Sequence, residues 1–147
     1  MIIQFYKGVD RANKAFRALQ DVRKDVRMIE LLMANAPDST QAKMKENTKE
    51  LLKKISGLEK KFMEPEDVKG FTNENNLGRS LGYTHSYLNT SLGDPGANAR
   101  EMLSQTEKEV DKIVTEVDSF LKEDWNAFKA LTSVIEWPLF KNIEALK

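Results

Sequence analysis

Cysteine is absent from this chain, and histidine occurs once, as His85. Without cysteine there is no disulfide, no thiol nucleophile and no thiolate metal site. One histidine cannot build a di-iron bundle centre, which takes a Glu-x-x-His pair from each of two helices. A zinc site would lack its further nitrogen or sulfur ligands. No stretch approaches the roughly 20 apolar residues of a membrane-spanning helix. The opening Met1-Ile2-Ile3-Gln4-Phe5-Tyr6 is too short for the core of a signal peptide, so a secreted form would take its signal from a longer parent protein. Formal net charge is zero, and no global field draws the chain to nucleic acid or to an anionic membrane. The period of two that strands require is also missing.

What is present is apolar residues at alternating steps of three and four. Phe5, Val9, Ala12, Phe16, Leu19, Val22, Val26, Ile29 and Met33 form one stripe. Met44, Leu51, Ile55, Leu58 and Phe62 form a second, and Leu103, Val110, Ile113, Val117, Leu121, Phe128, Leu131 and Ile135 a third. Each lays a seam along one face of an α-helix. The two consecutive steps of three at Phe16–Leu19–Val22 read as a local overwinding of the first seam. Apolar residues make up 40% of the chain and charged residues 31%, as expected of long helices with narrow apolar stripes and broad solvated faces.

The interruptions divide the chain into four helices, over about residues 3–35, 39–63, 76–92 and 95–136. Ala36-Pro37 ends the first, because a residue before proline is pushed out of the helical region. Asp38 is placed to cap the second, with Gln41 completing a capping box. Pro65, Gly70 and Thr72-Asn73-Glu74-Asn75 mark a polar connection. Gly93-Asp94-Pro95 supplies a helix stop, a cap and a first helical position. Pro138 kinks or ends the last helix, and Leu139, Phe140, Ile143 and Leu146 suit a short final turn. In the third helix, Gly78, Gly82 and Ser86 share one flank, as small residues that let a neighbouring helix approach, while Tyr83 and Tyr87 share the other. The expected fold is all-α, a single domain over residues 1–147. It is an antiparallel up-down-up-down four-helix bundle in which helices two and three together pack along the longer helices one and four.

Charge is unevenly divided. Residues 1–61 carry 14 basic and 8 acidic side chains, whereas residues 62–147 carry 9 and 15. A basic first half against an acidic second half favours their packing together; chance scatter over solvated faces is the alternative.

Few residues suggest chemistry. His85 lies at the edge of its seam, and Ser80 and Ser86 lack the surroundings of a nucleophile elbow. Glu64, Glu66 and Asp67 do not have the spacing of a calcium loop. The lysines of helix two, Lys43 to Lys61, are interspersed with Glu46, Glu50 and Glu59 and read as a solvated face rather than a nucleic-acid surface. Asp124 is the exception. It falls in the middle of the helix-four seam, where a carboxylate must be paired, hydrogen-bonded to Tyr83 or Tyr87, or reach water. Alternatively the stripe changes phase near Phe120–Leu121 and turns Asp124 outward. No catalytic, cofactor or metal residue emerges, and Tyr83, Tyr87, Asp124, Trp125 and Trp137 stand as interaction candidates.

Three segments carry a family resemblance. They are Pro65-Glu66-Asp67-Val68-Lys69-Gly70, then Leu81-Gly82-Tyr83 through Leu92-Gly93-Asp94-Pro95, and Phe120-Leu121-Lys122-Glu123-Asp124-Trp125 with Phe128. In that order, after a long first helix, they resemble the C-terminal helical region of bacterial BNR/Asp-box β-propeller proteins. These are large sortilin-like proteins often labelled glycosyl hydrolases. The resemblance implies a C-terminal domain of an exported, periplasmic, cell-surface or secreted protein. Its partner would be the parent propeller or another protein, with a homo-oligomer also possible. No catalytic residue of the family falls on any position here. The expected function is a non-catalytic accessory or protein-interaction domain. The alternatives are a ligand-binding or enzymatic bundle using the polar seam near Asp124, and a self-assembling coiled coil.

Overall fold

The computed structural model describes residues 2–63, 76–90, 96–137 and 145–146. The expected connection at 64–75, the Gly93-Asp94-Pro95 stop, Pro138 and most of the final turn lie outside them. Helix α1 spans Ile2–Met33, α2 Asp38–Phe62, α3 Leu77–Thr90 and α4 Ala97–Phe120. A single π-helical turn, Leu121–Trp125, then joins α4 directly to α5, Asn126–Ser133. Among the described residues there is no strand, and the all-α bundle predicted by the stripes is the fold.

Side chains buried along α1 are Phe5, Ala12, Ala15, Leu19, Val22, Val26 and Met33. The buried seam therefore runs through Ala15 rather than Phe16, and with Gly8 and Ile29 filling the intervening steps it keeps a regular three-four spacing. The overwinding expected at Phe16–Val22 is not needed. Phe16 sits beside the seam instead, its ring 5.5 Å from that of Phe62. In α2 the gap in the stripe is filled by Thr48, buried between Met44 and Leu51, whose hydroxyl donates to Met33 Sδ at 3.7 Å. A hydroxyl satisfied in this way is tolerated in an apolar seam.

The helix ends differ in detail from expectation. Helix α1 stops at Met33, and Asn35 and Ala36 bond back to Leu32 and Met33. Asp38 is not a cap: Pro37 holds that position, and its carbonyl accepts from the amides of Thr40 and Gln41 at 3.0 and 3.1 Å. Proline is suited to the place because its extended ψ of 150° matches the non-helical backbone of a cap. Asp38 enters the first turn, where its charge complements the helix dipole. The Gln41 side chain donates to Ala36 O at 3.0 Å. Helix α3 has a side-chain cap: Asn76 Oδ1 accepts from the amide of Arg79 at 3.0 Å.

Contacts fix the directions. Phe16 meets Phe62, Arg23 meets Glu59 at 3.0 Å, and Met33 meets Thr48, so α2 runs against α1. Gly78 lies beside the carbonyl of Phe62, and His85 reaches Tyr6 near the start of α1. Helix α3 therefore continues in the direction of α2. Thr84 bonds Thr106 at 2.7 Å, Arg11 pairs with Asp111 at 2.6 Å, and Lys54 pairs with Asp124 at 2.7 Å, which places α4 parallel to α1. The alternation is thus one of three columns: α1 up, α2 followed by α3 down, and α4 with α5 up. As expected, α2 and α3 together line the two long columns. Short connections force a chain to double back, whereas the stretch between Phe62 and Leu77 is longer than such turns and lets the column resume. Arg11–Asp111, Lys54–Asp124 and Lys61–Glu116 join the basic first half to the acidic second half.

The glycine flank of α3 divides in two. A Cβ on Gly78 would lie 2.9 Å from Phe62 O, while one on Gly82 meets nothing within 4 Å. Close approach explains the first glycine and not the second. Gly82→Ala should raise stability by up to about 1 kcal/mol through helix propensity. Gly78→Ala should lower it by about 1–3 kcal/mol, as overpacking does. Urea denaturation of the two variants, with equal shifts in one direction, would refute this division.

Candidate functional site

The phase change anticipated near Phe120 is the π turn itself. Along α4 the buried residues are Ala99, Leu103, Thr106, Val110, Ile113, Val117 and Phe120. An α-helical step of four from Phe120 would bring Asp124 into the core. A π turn closes its bonds over five residues, so the next seam position is Trp125, followed by buried Phe128. Trp125 packs against the core and stacks on Phe128 with centroids 5.8 Å apart. The exposed Lys129 ammonium lies over the Trp125 ring at 5.7 Å. Burying an unpaired carboxylate costs several kcal/mol, whereas a tryptophan seals a large apolar area. That difference favours the wider turn.

Asp124 is left at the edge of the seam, half-buried, and accepts a hydrogen bond from Lys54 Nζ at 2.7 Å. Of the outcomes open to it, it is paired and reaches water; the partner is Lys54 of α2 rather than a tyrosine. The bond and the charge of Asp124 hold the Lys54 ammonium above its ordinary range, with Glu50 adding to the effect. Its folded value is raised above the unfolded one. The pair's contribution is therefore complete below the ordinary lysine range and is lost as pH rises through the raised value.

This ion pair bridges an open side of the bundle. Helices α2 and α4 both pack closely along α1 but touch each other sparingly. Between them lie two clefts that share Lys54 and Asp124. One, of about 290 Å³, is floored by Leu51, Phe128 and Leu131. The other, of about 530 Å³, contains Gly57, Leu58, Ser119 and Phe120 and is crossed by Lys61–Glu116. A Cβ added at Gly57 meets nothing within 4 Å. Sequence reasoning missed this side because Lys54 and Lys61 look like ordinary solvated lysines. Gly57, in the middle of a strong helix, was the available signal.

The remaining candidates do not converge on it. Tyr83 and Tyr87 are exposed on α3, toward the end of the bundle where α1 begins. His85 is on the same helix, within 3.3 Å of the Tyr6 hydroxyl and 2.9 Å of Asn89 Nδ2. Trp137 is at the opposite end, half-buried against the core, and donates to Thr132 O at 3.1 Å; it closes the last turn of α5. Among the described residues, no three His, Asp or Glu side chains gather closely enough to hold a metal ion, and no helix is long and apolar enough to cross a membrane. Comparison with family models, with curated proteins and with solved structures finds no match.

Because the π turn acts as a one-residue insertion, deleting Glu123 should return the seam to an ordinary step of four at Trp125. The shortened protein should remain folded with an unchanged or higher melting temperature. Deleting Lys112 instead rotates the following residues by about 100° and turns Ile113, Val117 and Phe120 out of the core. Circular dichroism melting of both deletions decides the matter; loss of the fold on removing Glu123 would show that the π turn is not an insertion.

Proposed function

We propose that this chain is a non-catalytic helical domain that works by contact with another protein chain, through the open side between α2 and α4. The observation that supports this reading is the cleft around Gly57, flanked by charged residues and floored by Leu58 and Phe120. The apolar character of the core supports it too. Leu19, Val26, Met44, Ile55, Leu77, Val110 and Val117 are fully buried. The buried Thr84 and Thr106 bond to each other. In the setting of the propeller resemblance, the domain is an appendage that packs on its parent propeller or holds an assembly together.

The reading frame upstream of Met1 is the first test. Asp-box repeats there supply the propeller to be used, and an immediate stop codon removes the appendage reading. The chain is then titrated against itself and against that propeller. Association in at least one arm is expected, weakened at least about tenfold, or 1.4 kcal/mol, by Gly57→Arg, whose Cβ has open space and whose long side chain blocks the face. No association in either arm, or association indifferent to Gly57→Arg, rejects the proposal.

A further inference from the structure

We infer that a second copy of this chain covers the α2–α4 side, as a two-fold dimer whose axis runs parallel to the helices. The inference rests on the reading of this side as the contact face, and it goes further by naming the occupant. Charge along the two helices carries it. Lys61 is level with Glu116 and Lys54 with Asp124, since each pair is in contact. At 1.5 Å per residue, the exposed Glu46 and Glu50 of α2 are then close to the level of Lys129 in α5. From one end to the other, the α2 edge reads basic, basic, acidic where the facing edge reads acidic, acidic, basic.

A two-fold axis along the helices lays α2 of one copy over the α4 column of the other without changing height. The ladder that matches within one chain therefore matches between two. Lys60 comes opposite Glu116 of the second copy, Lys53 opposite Glu123, and Glu50 opposite Lys129. Lys53 and Glu123 are both exposed and have no ion pair among the described residues. Between the charged levels, Gly57 and Ser119 stand at one height, both exposed. Two small residues there allow the helices of the two copies to approach. Such an interface is isologous, so every contact occurs twice. Its apolar floor is small, and the association is accordingly salt-dependent.

Sedimentation velocity from micromolar to millimolar chain, in low and high salt, tests this on the protein as it is. The expected result is a dimer that forms with rising concentration and weakens with salt. Lys53→Glu or Glu123→Lys alone should raise the dissociation constant by about tenfold or more, as a reversed charge pair repeated twice requires. The double variant K53E/E123K should restore it. Both positions are exposed and helical, and circular dichroism checks that the variants fold. A monomer throughout overturns the second copy as occupant, as does a dimer indifferent to both reversals or not restored by the double variant. A monomer that still binds a propeller through Gly57 leaves the contact face intact and removes only the dimer.

Discussion

Helix α1 touches both other columns, and its apolar seam is the surface on which they are arranged. Leu19 and Val26 have no measurable exposure, and Phe5, Ala12, Ala15 and Val22 are nearly as deep. Burying a leucine, valine or phenylalanine stabilises a fold by about 1.5–3 kcal/mol each. The exposed ion pairs between columns contribute at most about 1 kcal/mol apiece. The positions of α2 and α4 are therefore set by how each packs on α1, and the charges at their edges adjust to that arrangement. Helices α2 and α4 meet only sparingly on their outer side, while α4 packs on α1 and on α3.

The same constraint explains the π turn. The α4 column must present apolar residues to α1 over its whole length. The sequence offers Phe120 and then Trp125, five residues on, with an aspartate at the position an α-helix would use. Either the carboxylate is buried or the backbone widens by one residue. The turn widens, Trp125 and Phe128 continue the core, and Asp124 moves to the rim, where Lys54 meets it. A local irregularity in the backbone thus creates one of the two ion pairs that cross the open side, beside Lys61–Glu116.

Much of this architecture was legible in residue spacing, and the failures have physical causes. The stripes gave the helices to within a few residues. Phe16 reads as a seam residue because it is large and apolar, yet Ala15 carries the position; alanine is too common on helix surfaces to announce itself. Thr48 and Thr106 do not announce themselves as core residues, because their burial depends on partners from other helices, whereas Thr84 falls in the spacing of its own helix's seam and is buried. Asp38 looked like a cap by composition, but Pro37 had the backbone for it. The phase change near Asp124 was readable as an alternative, since an aspartate inside a stripe is a conflict that something must resolve. The cleft was not, because it is a property of two helices that approach a third and not each other.

Open space alone does not mark a contact face. Gly8, Gly57 and Gly82 would all accept a Cβ without touching anything, and each costs its helix about 1 kcal/mol against alanine. Gly82 has only the exposed outer face of α3 around it, and Gly8 sits within the seam of α1 near its end. Gly57 differs in its surroundings. It lies between two levels of lysines, opposite a helix whose carboxylates stand at the same heights. In an isolated bundle alanine would serve better there, and its gain would rival the worth of an exposed ion pair bridging the cleft. Under the proposed dimer, glycine at that place lets the second copy come close, and the ladder of charges on either side matches that copy.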